Sequence, residues 1–365
     1  VVATATDTSG NTDTETIQIR VIDPNDNTAP IVEINTDALN LNRPQRITTP
    51  QGLVDPDELS FGFTGSLEVL TSDPNQPATF VGRGGISTDG LGTNDTGILQ
   101  ADIPAGSTIE QAYLHVVSST FNQPFRPNEI GFDGNNIALS WLEIVQDDLV
   151  PVDPAVGTGI RNFEVGRADV TGLVASKVGS GGNIFDFLID ETITGNADQI
   201  EGTSLTVIYS NPDLPERTIV LLEGGVTTGE TSRSNVLTFG SPVDTNSPDF
   251  SAELALGIVY SSLENGQSTT VDINGQRLTS SAGDTDDGFL TTNLIGAGAG
   301  ITVGGVGDSL RNPVDPNNAG DSNDDELYDL TPFLQDGDTS LELSTTGTDD
   351  DLFFLAALTL PASVS

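Results

Sequence analysis

The residues best suited to chemistry in this chain are short oxygen-bearing side chains, and they come in clusters. Asp23, Asn25, Asp26 and Asn27 stand almost side by side. Carboxylate and amide oxygens at that density are the ligands of a hard cation such as Ca²⁺, which takes about six to eight of them. A second cluster comprises Asp315, Asn317, Asp321, Asn323, Asp325 and Asp329, and in it Asp321, Asn323 and Asp325 alternate as in a calcium loop. It is not an EF-hand, because Glu326 stands where that loop needs glycine and Pro332 where it needs its bidentate glutamate. Calcium is the expected cofactor at both clusters; the alternative for each is a solvated acidic loop held by Asx-turns. The acidic runs Asp284–Gly288 and Thr348–Asp351 are weaker examples of the same kind.

Catalysis has little to work with. His115 is the single histidine and sits in an apolar run, Tyr113-Leu114-His115-Val116, as a structural strand residue would. There is no cysteine, and no nucleophile elbow surrounds a serine. Carboxylate pairs for glycoside hydrolysis are available in any number among 54 acids, which deprives any one pair of meaning. The glycine-rich runs Gly296–Gly300 and Gly304–Gly307 lack the Lys-Ser/Thr of a phosphate-binding loop and read as loops or bulged strands. Lys177, the only lysine, allows at most one isopeptide cross-link to an asparagine. Asn94-Asp95-Thr96 fits a glycosylation sequon. Trp141, Tyr113, Phe121 and Phe125 suit core packing better than a sugar platform, since aromatics make up only 5% of the chain. No catalytic residue is assigned, and the chain is not expected to be an enzyme.

Charge is the strongest global signal. Twelve Lys and Arg face 54 Asp and Glu, for a formal net charge of −42. Such a chain repels nucleic acid and anionic membranes, and it repels itself unless cations neutralise it. The absence of cysteine rules out disulfides and thiolate zinc sites. No run of about 18 apolar residues offers a membrane span. With no methionine anywhere, the chain reads as a processed or truncated piece of a longer product.

The elements that must carry these residues are short strands punctuated by Gly and Pro. Strands are expected near 1–7 and 15–22, where Ile17, Ile19 and Val21 alternate with polar residues. Others are expected near 31–34, 66–70, 78–81, 97–101, 110–117, 136–145, 183–189, 203–209 and 217–222. A short helix is expected over 169–178, capped by Asp169 or Thr171 and ended by Gly179–Gly182. From about Val226 the pattern restarts as a weak internal repeat. Ala112–Val116 corresponds to Leu254–Ile258, Phe132–Asn135 to Ile273–Gln276, and Asp169–Val174 to Asp329–Leu334. Gly182–Phe187 corresponds to Gly337–Glu342 and Leu205–Tyr209 to Leu352–Ala356, which places Leu205 and Leu352 at equivalent inward positions. The expected fold is all-β: a partial strand pair at 1–22, a linker and extended segment at 23–60, and two related β-sandwiches at 61–225 and 226–365.

The start of the chain carries a resemblance. Val2–Asp7, Thr16–Ile22 and Asp23-Pro24-Asn25-Asp26-Asn27-Thr28-Ala29-Pro30 resemble the end of a cadherin-like or hyaline-repeat, immunoglobulin-like domain with its calcium linker. Thr28 departs from the family linker, which runs Asn-Ala-Pro. The Asp169-Val170-Thr171 element followed by a Gly turn resembles secreted jelly-roll modules of bacterial surface proteins. The resemblance implies an extracellular or cell-surface protein of structural or adhesive type. It would be calcium-stiffened and would self-assemble by adding its N-terminal strands to a neighbouring copy. The alternative is a carbohydrate-binding module of an adhesin or polysaccharide-degrading enzyme, with surface glycans as partners.

Overall fold

The computed structural model describes residues 2–6, 12–16, 61–64, 67–70, 78–93, 95–121, 124–142, 161–227, 233–248, 250–259, 269–283, 287, 300–320, 325–346 and 351–361. The chain divides into two compact units, Val1–Thr49 and Pro50–Ser365. In the first, β1 (Val2–Thr6) and β2 (Thr12–Thr16) form an antiparallel hairpin with Val2 opposite Thr16. The expected strand pair is therefore present, with its second strand starting earlier than the alternation of Ile17, Ile19 and Val21 suggests. Those three residues lie outside the described residues, as do residues 31–34.

The second unit holds strands β3 (Phe61–Thr64), β4 (Glu68–Val69), β5 (Phe80–Leu91), β6 (Thr96–Ile103), β7 (Thr108–Phe121), β8 (Glu129–Phe132), β9 (Asn135–Ala138), β10 (Ser140–Trp141) and β11 (Arg161–Asp169). Helix α1 (Thr171–Val178) follows, then β12 (Asn183–Asp190), β13 (Ile200–Ser210), β14 (Glu216–Thr227), β15 (Arg233–Phe239), β16 (Glu253–Val259) and β17 (Thr269–Ile273). The series ends with β18 (Gln276–Ala282), β19 (Ile301–Val303), β20 (Leu327–Asp329), β21 (Ser340–Thr346) and β22 (Leu352–Pro361). The fold is all-β, as the sequence predicts. Among the described residues no helix is long and apolar enough to cross a membrane.

Strand order makes the internal repeat visible. The main sheet runs β10-β11-β7-β13-β5-β14-β22-β16-β19, with β20 also on β16 and β4 on β14. Reading outward from the β5–β14 junction, β5, β13, β7 and β11 are matched by β14, β22, β16 and the β19/β20 pair. The small sheet β6-β12-β8-β9 is matched in the same order by β15-β21-β17-β18, with β3 added at the β15 edge. Two hairpin turns show the match residue by residue. Asp133 and Gly134 have φ of 50° and 78°, and Asn274 and Gly275 have 51° and 74°. Positive φ at both central residues is the two-residue hairpin turn whose twist suits its strands. The Asp-x-Thr elements agree as well. Thr171 N–H donates to the Asp169 carboxylate at 2.9 Å, and Thr331 N–H to that of Asp329 at 2.9 Å. Val170 N–H reaches the Ala112 carbonyl at 2.9 Å, and Leu330 N–H that of Ala252 at 2.8 Å.

These contacts fix the register and correct three of the expected correspondences. Ala112 matches Ala252, so Leu114 rather than Ala112 matches Leu254. Leu114 faces Leu205 across its ladder, and Leu254 faces Leu358, so the partner of Leu205 is Leu358 and not Leu352, which pairs with Val259. Asp133 N–H bonds Leu188 O and Asn274 N–H bonds Glu342 O, which slips the β12 match by one residue, Phe187 to Leu341. For the match of β13 with β22 the cause is plain: every side chain of β22 is buried, so its apolar run has no alternation from which to read a phase.

Each half is built in sandwich-like layers. In the first, Leu114, Val116, Leu205 and Val207 of the main sheet pack on Leu99, Phe132 and Phe187 of the small sheet. In the second, Leu254, Leu256 and Leu358 pack on Leu237, Val271 and Leu341. The main sheet also buries its other face. Val117, Phe163 and Val165 from the first half join Leu221, Ile301 and Phe354 from the second in a third core. The long sheet folds back so that its two halves face each other. The boundary expected at 225/226 falls inside β14, which pairs with β5 on one side and β22 on the other.

Candidate functional site

The seam between the two halves of the main sheet holds the most concentrated described chemistry. His115 on β7 is fully buried, with Nε2 2.9 Å from Oε2 of Glu223 on β14. The other Glu223 oxygen accepts from the Arg167 guanidinium on β11. Arg167 also lies over the Tyr113 ring, 5.7 Å from its centroid. Burial raises the Tyr113 phenol above its ordinary range, and Asp169 adds to the shift. The strands dictate this set: Leu114 and Val116 point into the first core, so Tyr113, His115 and Val117 must point into the seam. Ser204 lies directly opposite His115 and is equally buried. His115 and Ser204 offer solvent no surface, and what the trio of His115, Glu223 and Arg167 does is tie the halves together. His115 is thus a buried strand residue, as its sequence setting suggests.

A second polar seam lies at the far end of β5. Thr88 donates its hydroxyl to Gly304 O at 2.5 Å, and its carbonyl accepts Val306 N–H at 2.9 Å. Burial pushes the neighbouring Asp89 carboxyl up to about 7, despite the pull of the Gln100 N–H, and the nearby Asp308 pushes the same way. Gly304 and Gly305 serve close backbone approaches, to Glu326 and to Thr88, and not a phosphate loop. A Cβ on Gly305 would sit 1.9 Å from the Thr88 carbonyl oxygen.

The expected calcium ligands fall in several places. Asp23, Asn25, Asp26, Asn27, Asp321 and Asn323 lie outside the described residues. Asp315 is exposed and accepts Asn317 N–H at 3.1 Å in an Asx-turn. Asp325 accepts Ser309 N–H at 3.2 Å. Asp329 is gripped by Asn312, whose amide bonds its N–H and its carbonyl at 3.0 and 2.7 Å. Each described member therefore has a turn or strand end to hold. Among the described residues no three His, Asp or Glu side chains are already drawn around a common point at ion-binding distances.

Lys177 places its ammonium 2.6 Å from an Asp133 oxygen and over the Phe187 ring, so its nearest partner is an acid and not an asparagine. Trp141 donates its indole N–H to Pro127 O at 3.1 Å and covers Gly166, and Phe125 packs on the first core. Asn94 and the Phe121 side chain lie outside the described residues. Sequence reasoning missed Glu223, Arg167 and Asp89. The only signal available was their type: charged residues inside otherwise apolar or glycine-rich strand segments.

Fold and seam together define an all-β protein of sandwich-like layers. In comparison with known proteins, no family model matches the chain and no curated protein matches it.

Proposed function

We propose that this chain is a structural or adhesive subunit of an extracellular assembly, stabilised by calcium and linked to copies of itself through its N-terminal strands. The observation that carries the reading is the continuity of the main sheet through the repeat. Two sandwich-like halves share one hydrogen-bonded sheet and a buried seam, which gives a stiff body suited to bearing load. The N-terminal hairpin supports the assembly mode. Among the described residues β1 and β2 pair only with each other. Two strands alone are marginal in water, and each outer edge can accept another strand. Strand addition from copy to copy is head-to-tail and does not close, so it builds a filament. The charge of −42 favours divalent cations as the agent that lets such copies approach.

The test is electron microscopy and sedimentation of the full chain in millimolar calcium and in chelator, beside a chain lacking residues 1–22. The reading expects filaments in calcium, their loss in chelator, and a shortened chain that stays folded and monomeric. Assembly that is indifferent to both changes would overturn it.

A further inference from the structure

The two halves close the same side of their sandwich-like layers in different ways. In the first, β5 caps the outer edge of β6 with side chains. The Asp89 carboxylate accepts the Gln100 N–H, and the Ser87 hydroxyl accepts the Asp102 N–H at 3.0 Å. The repeat shows what stands at those places in the second half. Leu205 and Val207 lie opposite Asp89 and Ser87, and their counterparts Leu358 and Leu360 lie opposite Val220 and Thr218. Val220 has no oxygen to offer, and the buried Thr218 hydroxyl has no hydrogen-bond partner. Neither side chain caps the edge of β15, and an uncapped edge is a template for another strand.

That strand comes from the N-terminal side of the chain. Gln100 on β6 matches Thr238 on β15, because Leu99 lies opposite Phe187 as Leu237 lies opposite Leu341. Thr238 lies opposite Gly62, so the backbone of β3 meets the edge that Asp89 caps in the first half. The arm continues from β15 to β14. Leu67 N–H donates to Asn235 Oδ1 at 3.1 Å, and its side chain, 2% exposed, joins Leu222 and Leu237 in the second core. β4 then lies on β14 with Val69 opposite Leu222, and Leu70 N–H donates to Leu221 O at 2.8 Å. The arm precedes the first half in sequence, yet its strand pairing and Leu67 are in the second. The first half has its four-stranded small sheet without such an arm, so the arm is a separate piece seated in a slot and not a member of the repeat.

We propose that the slot between β14 and β15 is a strand-acceptor site, and that in the assembled state it takes the β3–β4 arm of a second copy. The inference rests on the reading of a self-assembling chain and places in it a second joint, distinct from residues 1–22. The ladder to β15, the bond to Asn235 and the burial of Leu67 are the same whichever copy supplies the arm. Exchange therefore loses none of these contacts at the acceptor, which is what makes swapping of an element between copies a low-cost route to assembly. The slot selects an extended strand: backbone pairing with β15 supplies the hold, and the seat of Leu67 beside Asn235 sets the register.

The experiment uses introduced thiols, which report alone because the chain has no cysteine. Thr64 lies opposite Val236. Full-length Thr64→Cys and Val236→Cys chains are mixed in chelator, brought to millimolar calcium, oxidised mildly and run on a non-reducing gel. These two chains can join β3 to β15 by a disulfide only between copies. The proposal expects a covalent dimer cross-linked between positions 64 and 236, and its loss when Val236→Cys is replaced by Ser176→Cys, an exposed position on α1. The Thr64→Cys, Val236→Cys double variant shows that the pair can close. A double variant that cross-links only within one chain, with no more dimer from the mixture than from the Ser176→Cys control, would overturn the proposal. If the double variant does not close, the neighbouring pair Gly62→Cys and Thr238→Cys is read in the same way. Filaments without the intermolecular bond would overturn the exchange and leave the filament reading standing. The bond without filaments would support the exchange and overturn that reading.

Discussion

At the scale of single residues, the seam is where substitutions speak most clearly. Glu223 is nearly buried and serves two partners, His115 and Arg167. Removing its charge leaves the Arg167 guanidinium, with a side chain only 20% exposed, without its carboxylate. Breaking a buried pair from one side costs about 3 kcal/mol. Glu223→Gln should therefore lose roughly that much in a denaturant titration. Asp89 gives a pH test with a defined sign. Its proton is held to about pH 7 in the folded chain against an ordinary value of 3.8. The folded state binds the proton more tightly, so this contribution to stability is complete below about pH 4 and is lost as pH rises through about 7. Asp89→Asn keeps a carbonyl to accept the Gln100 N–H but cannot titrate. Its stability curve should be flatter than that of the wild type between pH 4 and 8. Parallel curves would mean that Asp89 is not held protonated.

At the scale of elements, turns and helix were legible and the seam was not. The expected helix at 169–178 is α1, starting at Thr171 and ended at Gly179 with a φ of 61°, because Gly signals its role locally. The expected cap by Asp169 or Thr171 is not made, since Val170 is the N-cap and the Asp169 carboxylate accepts the Thr171 N–H at 2.9 Å in a turn just before the helix. The Asp133-Gly134 and Asn274-Gly275 turns were matched in order for the same reason. By contrast β5 runs on to Leu91 through Gly82, Gly84, Gly85 and Gly90, residues that argue against a strand when read alone. What makes those glycines right is the backbone that packs on them, and sequence spacing does not show it. The 304–307 segment allows the point to be measured. Gly305→Ala forces a Cβ against the Thr88 carbonyl and should cost more than about 3 kcal/mol, by parting the two seam backbones. Gly307 has a φ of 101° and open space around it, so Gly307→Ala should cost only about 1–2 kcal/mol of backbone strain. Equal losses in chemical denaturation would deny the close approach at Gly305.

At the scale of the whole molecule, the question is whether a duplicated fold behaves as two bodies or one. The repeat in sequence suggests two, since each half has its own core between a large and a small sheet. The continuous sheet and the third core argue for one. Leu221, Ile301, Phe354, Phe163 and Val165 meet across the seam, and cutting the chain at 225/226 would leave each half with its part of that face in water. Each such side chain is worth about 1.5–3 kcal/mol of burial. A domain's whole margin is only about 5–15 kcal/mol, so a half that loses several of them has little left. The cut also takes β14 from the β22 ladder, where Leu221 sits opposite Ala357, and strips a main-sheet edge from the second core. Residues 50–365 should therefore unfold in a single calorimetric transition, with the van't Hoff enthalpy matching the measured one. Separately expressed halves should bind a hydrophobic dye or aggregate, and should regain a cooperative transition only when mixed. Two resolved transitions in the intact chain, or two soluble halves that each melt cooperatively, would show that the seam is a contact between finished domains and not part of the fold.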